Sequence, residues 1–297
     1  MLRYVIGTVY LLFGLTAIPL HALLLFTILS TPQYRNLASY QLMIQIDLGD
    51  CVQVATHVYT GLITLVGTDS HSSVEKFVGG FVNAVWISMI LVTLLLAINR
   101  LAVIGGFQLA IFKCKLFYKC LALLCWLFGL GLFICYMTPF AGLEYNDAFY
   151  WSFMENGAWN DLVQNLETLS TIPALIVSFV IYVAIFVIII VKKRRIFKDN
   201  RNALSAQELQ LVAQAFIIFS YKTVLVTLWH YGDLILPQSF WTPIAINIMW
   251  MCDGCVNPLL YFTINKSVRQ RCRDLLQSKR TGPNTKMFTI TNNSTRG

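Results

Sequence analysis

Long apolar stretches alternate with short polar segments along most of the chain. Each stretch approaches the roughly 20 apolar residues that a helix needs to cross the hydrocarbon core of a bilayer. The stretches cover residues 5–29, 40–62, 78–97, 121–137, 172–191, 211–231 and 240–262, of which the fourth is the shortest. This pattern predicts an all-α, membrane-embedded bundle of seven transmembrane helices. The first stretch is too long for a cleaved signal peptide, so we expect it to stay in the protein.

A different pattern follows the seventh stretch. Residues 264–277 have the helical spacing of a short amphipathic segment, with arginines on one side, and we expect it to lie on the membrane surface. Its apolar side is formed by Val268, Cys272, Leu275 and Leu276. Cys272 is a candidate site for palmitoylation. One domain, 1–277, is therefore predicted, followed by a polar, Ser- and Thr-rich tail at 278–297 that we expect to be disordered.

Composition and charge fix the expected orientation. With 57% hydrophobic and only 12% charged residues, the chain lacks the polar surface of a soluble domain. Most of the 22 Lys and Arg residues fall in the first, third and fifth connections and in the tail. Because positive residues mark the cytoplasmic side, we predict an extracellular N-terminus and a cytoplasmic C-terminus in the plasma membrane. The remaining connections are acidic. Glu167 belongs to one of them, because the predicted fifth stretch begins only at residue 172. The net charge of +8 then reflects topology and anionic lipid, and no nucleic-acid partner is expected.

Charged residues also occur inside the predicted spans, where each is costly unless it faces the interior of the bundle. They are Asp47, Asp50, Lys222 and Asp253. One interpretation is mutual neutralisation in a buried network that only fixes the helix register. The other is a polar core that rearranges between two helix packings. In either case Lys222 is expected to pair with Asp253 or Asp50.

The seventh stretch ends in NPLLY, which contains Asn257, Pro258 and Tyr261. Pro258 removes a backbone donor, so the freed carbonyl and the Asn257 amide can hold water inside the bundle. NPLLY resembles the NPxxY motif of rhodopsin-like G-protein-coupled receptors. The same resemblance places Asp50, in IDLGD, at the buried aspartate of helix two in that family. It places Arg100, in LLLAINRLAVI, at the arginine that contacts the G protein.

Longer stretches carry a closer resemblance, which covers about residues 5–277. They are IGTVYLLFGLTAIP, ASYQLMIQIDLGDC, LAINRL and CDGCVNPLLYFTINKSVRQ. Together they resemble the nematode serpentine chemoreceptors of class T and the related class X. That resemblance implies a receptor in sensory neurons that binds a small-molecule ligand on the outer side and activates a heterotrimeric G protein inside. A transporter or channel that uses the intramembrane Asp and Lys residues for ion coupling is the alternative.

The chain departs from the rhodopsin-like pattern at several positions. Asn99 precedes Arg100 where an acidic residue is usual, so Arg100 is expected to be held less tightly or to pair with Glu208. His21 stands where helix one usually carries Asn, and we assign it to the intramembrane polar network. No cysteine lies in an outer connection, so the usual outer disulfide cannot form. The loop 138–165 is therefore expected to be ordered by its aromatic residues or to remain mobile.

Aromatic, amide and imidazole side chains gather in the outer halves of the predicted helices, a mixture that suits a small, mostly apolar ligand. The candidates are His57, Asn83, Trp86, Trp229, His230, Asn247 and Trp250. The four histidines lie on different segments without metal-ligand spacing, and no hydrolase or nucleotide-binding motif occurs. We therefore predict no enzyme activity, no cofactor and no metal site.

Overall fold

The computed structural model describes residues 1–67, 73–107, 110–154, 156–199 and 206–280, without the side chains of residues 113, 193–199, 206–212, 267 and 278–280. The described chain forms ten helices and one two-stranded sheet. In chain order the elements are α1 (Leu2–Leu29), α2 (Pro32–Arg35), α3 (Ala38–Val66), α4 (Ser73–Gly105), α5 (Ala110–Lys113), α6 (Lys115–Met137), β1 (Leu143–Tyr145), β2 (Trp151–Phe153), α7 (Asn160–Asp199), α8 (Ala206–Ile235), α9 (Trp241–Thr263) and α10 (Lys266–Arg280).

Seven long helices of the described chain contain the seven predicted stretches and pack into one bundle. They are α1, α3, α4, α6, α7, α8 and α9. Within the described residues, α1, α4, α6 and α7 are long and apolar enough by composition alone to cross a membrane. The charged residues inside the spans all lie on the other three helices, and they lower the hydropathy of those helices. The largest difference from the predicted boundaries is at α7, which begins at Asn160 rather than at residue 172.

The outer surface of the bundle is apolar. On α6, Leu124 and Ile134 are 60% and 59% exposed, and on α7, Val180 is 60% exposed. On α4, by contrast, Trp86 and Met89 are almost completely buried, because this helix packs against α3, α6 and α7. An apolar face of this extent requires lipid rather than water around it. The protein is therefore a multi-pass membrane protein with α4 near the centre of its bundle.

Glycines allow α1 and α3 to approach closely. A Cβ atom added at Gly61 of α3 would lie 2.6 Å from the backbone nitrogen of Leu11 in α1. A Cβ atom added at Gly14 of α1 would lie 2.6 Å from Cγ2 of Val58 in α3. Small residues at such positions are what lets membrane helices pack backbone to backbone. This contact fixes the position of α1 on the bundle.

Gly61→Ala is expected to destabilise the protein by about 1–3 kcal/mol, because the backbones of α1 and α3 must move apart. Gly131→Ala is the matched control, since a Cβ atom there meets nothing within 4 Å. The control should unfold at the same temperature as the unsubstituted protein or slightly higher, because Ala favours helix over Gly. Thermal unfolding of both purified variants gives the comparison. Equal melting temperatures would contradict the close contact.

A β-hairpin is the one departure from an all-helical fold in the described residues. β1 and β2 pair antiparallel, with Leu143 opposite Phe153 and Tyr145 opposite Trp151. The turn depends on Asn146, whose side-chain oxygen accepts hydrogen bonds from the backbone nitrogens of Ala148 (3.1 Å) and Tyr150 (3.3 Å). Asparagine commonly stabilises turns in this way. The prediction missed the hairpin because its strands are too short to show an alternating pattern.

Aromatic side chains attach this hairpin to the bundle. The hydroxyl groups of Tyr145 and Thr64 lie 2.7 Å apart, and Trp151 Nε1 donates a hydrogen bond of 3.2 Å to Oγ1 of Thr60. The hydroxyl of Tyr10 in α1 donates to the carbonyl of Phe149, at 2.9 Å. Burial raises the pKa of Tyr145, so its phenol stays protonated. Of the two alternatives for loop 138–165, ordering by aromatic residues is what the structure has. We call this side of the bundle the hairpin end.

The opposite side, which we call the α10 end, is closed by the amphipathic helix. Asn265 caps α10, since its side-chain oxygen accepts a hydrogen bond of 3.1 Å from the backbone nitrogen of Val268. Arg271 Nε donates a hydrogen bond of 3.1 Å to Oγ1 of Thr31 and ties α10 to the end of α1. Cys272 is only 5% exposed, so acylation would require this face of α10 to leave the bundle; its lipidation stays a prediction. Residues 281–297 of the predicted tail lie outside the described residues.

Candidate functional site

A cleft of about 490 Å³ opens at the hairpin end between the hairpin, α7, α8 and α9. Its wall combines aromatic rings with amide, hydroxyl, imidazole and carboxylate groups. Among the lining residues are Gln164 of α7, Trp229 and His230 of α8, and Ile246 of α9. Trp229 and His230 belong to the seven predicted ligand residues, whereas the other five lie buried below the cleft.

Trp229 of the cleft wall packs against two buried tryptophans, Trp86 and Trp250. The ring centroid of Trp229 lies 5.6 Å from that of Trp250 and 6.3 Å from that of Trp86. The rings of Trp86 and Trp250 are 6.2 Å apart, and His57 meets Trp250 edge-on at 5.4 Å. Trp250 lies one helical turn deeper along α9 than Ile246, which lines the cleft. The tryptophan cluster therefore connects the cleft to the interior of the bundle.

Directly below the tryptophans lies a buried ion pair. Lys222 Nζ of α8 donates a hydrogen bond of 2.6 Å to Oδ2 of Asp253 in α9, and both side chains are 1% exposed. Trp86 Nε1 donates a hydrogen bond of 3.1 Å to the same carboxylate oxygen. One oxygen of Asp253 thus joins α4, α8 and α9. Of the two partners predicted for Lys222, Asp253 is the one that it contacts.

Asn257 of NPLLY meets α3 one helical turn further along α9 than Asp253. Asn257 Nδ2 donates a hydrogen bond to Oδ2 of Asp50, which is completely buried. Pro258 follows inside α9, and Gln53 Nε2 donates to the backbone carbonyl of Trp250 on the same helix. Both bonds join α3 to α9 on the N-terminal side of the proline. They hold the two helices together next to the point where Pro258 removes a backbone donor.

A small cavity of about 20 Å³ lies at the α10 end. It is lined by Asp47, Arg100, Gln214, Asn257 and Tyr261, together with neighbouring apolar residues. Arg100 is 9% exposed, and its Nη2 lies 3.7 Å from the sulfur of Met43. The neighbouring Asn99 is also buried, at 4% exposure. The side chain of Glu208, the predicted partner of Arg100, lies outside the described residues.

His21 contacts one of the charged groups inside the spans. Its Nδ1 lies 2.8 Å from Oδ1 of Asp47, so α1 supplies the partner of this carboxylate. Asp50 bonds Asn257, and Lys222 bonds Asp253. Each of these pairs is formed at a different contact between helices.

Glu167 corrects the predicted boundary of the fifth span. It lies inside α7 and is completely buried, not in an outer connection. Tyr136 of α6 donates a hydrogen bond to Oε1 of Glu167, and Asn83 of α4 donates another at 2.8 Å. The i, i+4 spacing of Val163, Glu167 and Thr171, all buried, was the sequence signal for this extra length of helix.

Two predicted ligand residues serve as contacts between helices. Asn83 bonds Glu167 and the hydroxyl of Tyr136, and Asn247 Nδ2 donates a hydrogen bond of 2.8 Å to the hydroxyl of Tyr10. Both asparagines are fully buried. In this arrangement they position α1, α4, α6, α7 and α9 around the cleft. A direct contact between either asparagine and a ligand stays a prediction.

A second cavity, of about 480 Å³, opens sideways between α3, α4 and α6. Its lining is almost entirely apolar, and at one side Trp126 Nε1 donates a hydrogen bond of 2.8 Å to Oε1 of Gln45. This groove lies on the lipid-facing side of the bundle. It lacks the converging polar groups that orient a ligand, so the cleft at the hairpin end is the stronger candidate site.

The arrangement as a whole is a cleft joined through tryptophans and buried polar pairs to an arginine at the opposite end. The family model described as serpentine type 7TM GPCR chemoreceptor Srt matches residues 1–285 of the chain. The chain belongs to this family. A search of curated proteins found no match.

Family membership decides between the two function classes that the sequence left open. Serpentine chemoreceptors are a non-enzymatic receptor class, so the receptor is favoured over the transporter or channel. The predicted likeness to nematode serpentine chemoreceptors is confirmed. In this serpentine receptor the buried pairs lie between the cleft at the hairpin end and the end that carries Arg100.

Proposed function

We propose that this serpentine receptor binds a small organic molecule in the cleft at the hairpin end and activates a heterotrimeric G protein at the α10 end. The hairpin end and the N-terminus then face the exterior, and α10 and the C-terminus face the cytoplasm. This orientation agrees with the distribution of Lys and Arg among the connections. By the resemblance of the sequence to nematode chemoreceptors, the plasma membrane of a sensory neuron is the proposed location.

The observation that carries this proposal is the series of contacts from the cleft to the Lys222–Asp253 pair, which lies one helical turn before Asn257, and Asn257 lines the same cavity as Arg100. Trp229 lines the cleft and touches Trp86, which donates a hydrogen bond to Asp253. Asp253 is paired with Lys222 of α8, so a displacement of Trp229 changes the contact between α8 and α9. A ligand shifts a receptor between two packings only if it contacts them differently, and Trp229 is placed to make that difference.

The lining of the cleft indicates the class of ligand. Its volume of about 490 Å³ lies within the range of small-molecule sites, roughly 300–1,000 Å³. Aromatic rings such as Trp229 suit an apolar body, and Gln164 and His230 offer hydrogen bonds. His230 Nδ1 lies 3.3 Å from the hydroxyl of Thr168, so its ring orientation is already fixed. We propose a compact, mostly apolar molecule with one polar group.

Gln164→Trp is expected to abolish the response or to lower ligand potency by about tenfold or more, because the indole ring would occupy part of the cleft. A tenfold loss corresponds to roughly 1.4 kcal/mol of binding free energy. The measurement is calcium or cAMP in cells that express the receptor, with a panel of volatile and water-soluble odorants. Asn165→Trp is the matched control, because Asn165 is the next residue on α7 but is exposed and does not line the cleft.

Surface level is measured in the same cells with an antibody against an amino-terminal tag, without permeabilisation. A tag that is hidden on intact cells would contradict the proposed orientation. Equal potency of an active odorant on both tryptophan variants, at equal surface level, would contradict the cleft as the ligand site.

A further inference from the structure

Three side chains with different ligand atoms meet where α1 crosses α3. They are His21 of α1 and, one helical turn apart on α3, Asp47 and Cys51. One potential ligand atom from each of the three lies within 4.8 Å of the other two. Nδ1 of His21 and Oδ1 of Asp47 are 2.8 Å apart. The spacing of the histidines along the chain did not predict this cluster, because it forms only when two helices pack together.

The cluster contains buried atoms that the fold leaves without partners. His21 is 1% exposed and Asp47 is 2% exposed. Within the described residues, Nε2 of His21 and Oδ2 of Asp47 have no hydrogen-bond partner. In a membrane interior such groups are costly unless a partner satisfies them. A hydrogen bond between the two side chains uses only one polar atom of each, so it does not account for the other two.

The set of ligand atoms selects the class of partner. Imidazole nitrogen, carboxylate oxygen and thiolate sulfur are the donors that Zn²⁺ and similar transition metals bind. Ca²⁺ and Mg²⁺ prefer oxygen alone and would not use Cys51. Binding converts the Cys51 thiol to a thiolate and releases its proton to solvent. With the Asp47 carboxylate, the thiolate balances the charge of a divalent cation, so the bound site is neutral within a medium of low dielectric constant.

The scaffold holds this cluster in place. Gly14 lies two turns before His21 on α1, and the close α1–α3 contact at Gly14 fixes the spacing of the two helices. Tetrahedral Zn²⁺ with bonds of about 2.0–2.3 Å needs ligand atoms roughly 3.3–3.8 Å apart. The three atoms lie within 4.8 Å of one another, so the site requires side-chain adjustments on this scale to reach that spacing. Asp47 also lines the small cavity at the α10 end.

We propose that His21, Asp47 and Cys51 form a binding site for a transition-metal cation of the Zn²⁺ type that bridges α1 and α3. The site is independent of the ligand cleft and lies at the α10 side of the Gly14 contact. Occupancy adds a metal bridge between two helices that already pack closely at their glycines, so it restrains α1 against the rest of the bundle. A water molecule or another oxygen donor completes the tetrahedron.

Co²⁺ is the probe for this site, because a Co²⁺–thiolate bond produces a charge-transfer absorption that other ligands do not. The full-length receptor, purified in lipid nanodiscs, is expected to develop this absorption with one Co²⁺ per receptor, and Zn²⁺ should displace it. Cys51→Ser should abolish the absorption. Cys255→Ser, which removes a buried cysteine of α9 outside the cluster, should retain it.

Two further variants separate this site from binding at the surface and from misfolding. Cys114→Ser combined with Cys120→Ser removes two exposed thiols, and the absorption should persist. His21→Asn should lower Zn²⁺ affinity by about tenfold or more. A loss of that size is already usual when a residue that only hydrogen-bonds to a metal ligand is replaced. Only the fraction of each variant that elutes from size-exclusion chromatography at the same volume as the unsubstituted receptor is used. This step removes misfolded protein. An absorption that never saturates at one equivalent, survives Cys51→Ser or vanishes with the surface cysteines overturns the proposal.

Discussion

Lys222→Met is expected to destabilise the receptor by about 3–5 kcal/mol, which is the usual cost of leaving one partner of a buried ion pair without the other. Lys222 and Asp253 are each 1% exposed, so water cannot replace the lost ammonium group. The hydrogen bond from Trp86 remains, but it neutralises no charge. The expected result is a lower melting temperature of the purified receptor, measured by tryptophan fluorescence. A lower level at the cell surface is expected as well.

The double variant Lys222→Met with Asp253→Asn distinguishes loss of the ion pair from loss of packing. It removes both charges, and the new amide oxygen can still accept the hydrogen bond from Trp86. We expect the double variant to recover most of the stability, since replacing both partners of a buried pair is often neutral. Lys119→Met on the exposed side of α6 is the control and should change stability by no more than about 0.5 kcal/mol. If Lys222→Met unfolds like that control, the pair has no structural importance.

Hydropathy was sufficient to place the spans, because a membrane helix must show its apolar surface along its whole length. It was insufficient at α7, where Asn160 to Thr171 are helical although the stretch is polar. There the buried face carries Glu167, and its partners Asn83 and Tyr136 come from two other helices. A window along one segment cannot detect such compensation. The same limit explains the hairpin, whose attachment to the bundle depends on Thr60 and Thr64 of α3.

The buried polar core was likewise predictable only in part from the sequence. The family resemblance assigned Asp50 and Asn257 to the bundle interior without predicting that they touch, and Lys222 with Asp253 was one of two pairings that charge alone allowed. The pairing of His21 with Asp47 was not anticipated, because it depends on how close α1 approaches α3. That distance is set by Gly14 and not by any charge pattern. The sequence thus placed these groups inside the spans, whereas helix packing decided which of them touch.

Under the proposed function, the buried pairs supply the coupling between the two ends of the receptor. α8 is held to α9 by Lys222 at one level and by Tyr221, whose hydroxyl donates a hydrogen bond of 2.6 Å to the carbonyl of Met249. α9 in turn is held to α3 by Asn257. A ligand that moves Trp229 therefore acts on a small number of strong contacts, not on a diffuse apolar surface. Coupling through two alternative arrangements of such contacts is the physical requirement for a switch.

Arg100→Ala is expected to abolish G-protein activation while the receptor still reaches the cell surface. Arg100 lies at the α10 end, in the cavity that it shares with Asn257 and Tyr261. Its contact within the described residues is the sulfur of Met43, so removal of the guanidinium breaks no ion pair described there. An arginine at the centre of an interface commonly contributes at least about 2 kcal/mol, or roughly thirtyfold in affinity. Recruitment of a G-protein α subunit, in membranes with an active odorant, measures this loss.

Arg35→Ala provides the matched control, because Arg35 lies at the same end of the bundle but is exposed on α2. It removes the same positive charge from the predicted cytoplasmic face, so a general electrostatic contribution to G-protein attraction should weaken both variants equally. A specific role for Arg100 requires that only Arg100→Ala loses activation at equal surface level. Equal activation by both variants would instead mean that the G protein binds elsewhere at the α10 end. The polar contacts from Trp229 to Asn257 would then stabilise the bundle without transmitting a signal to Arg100.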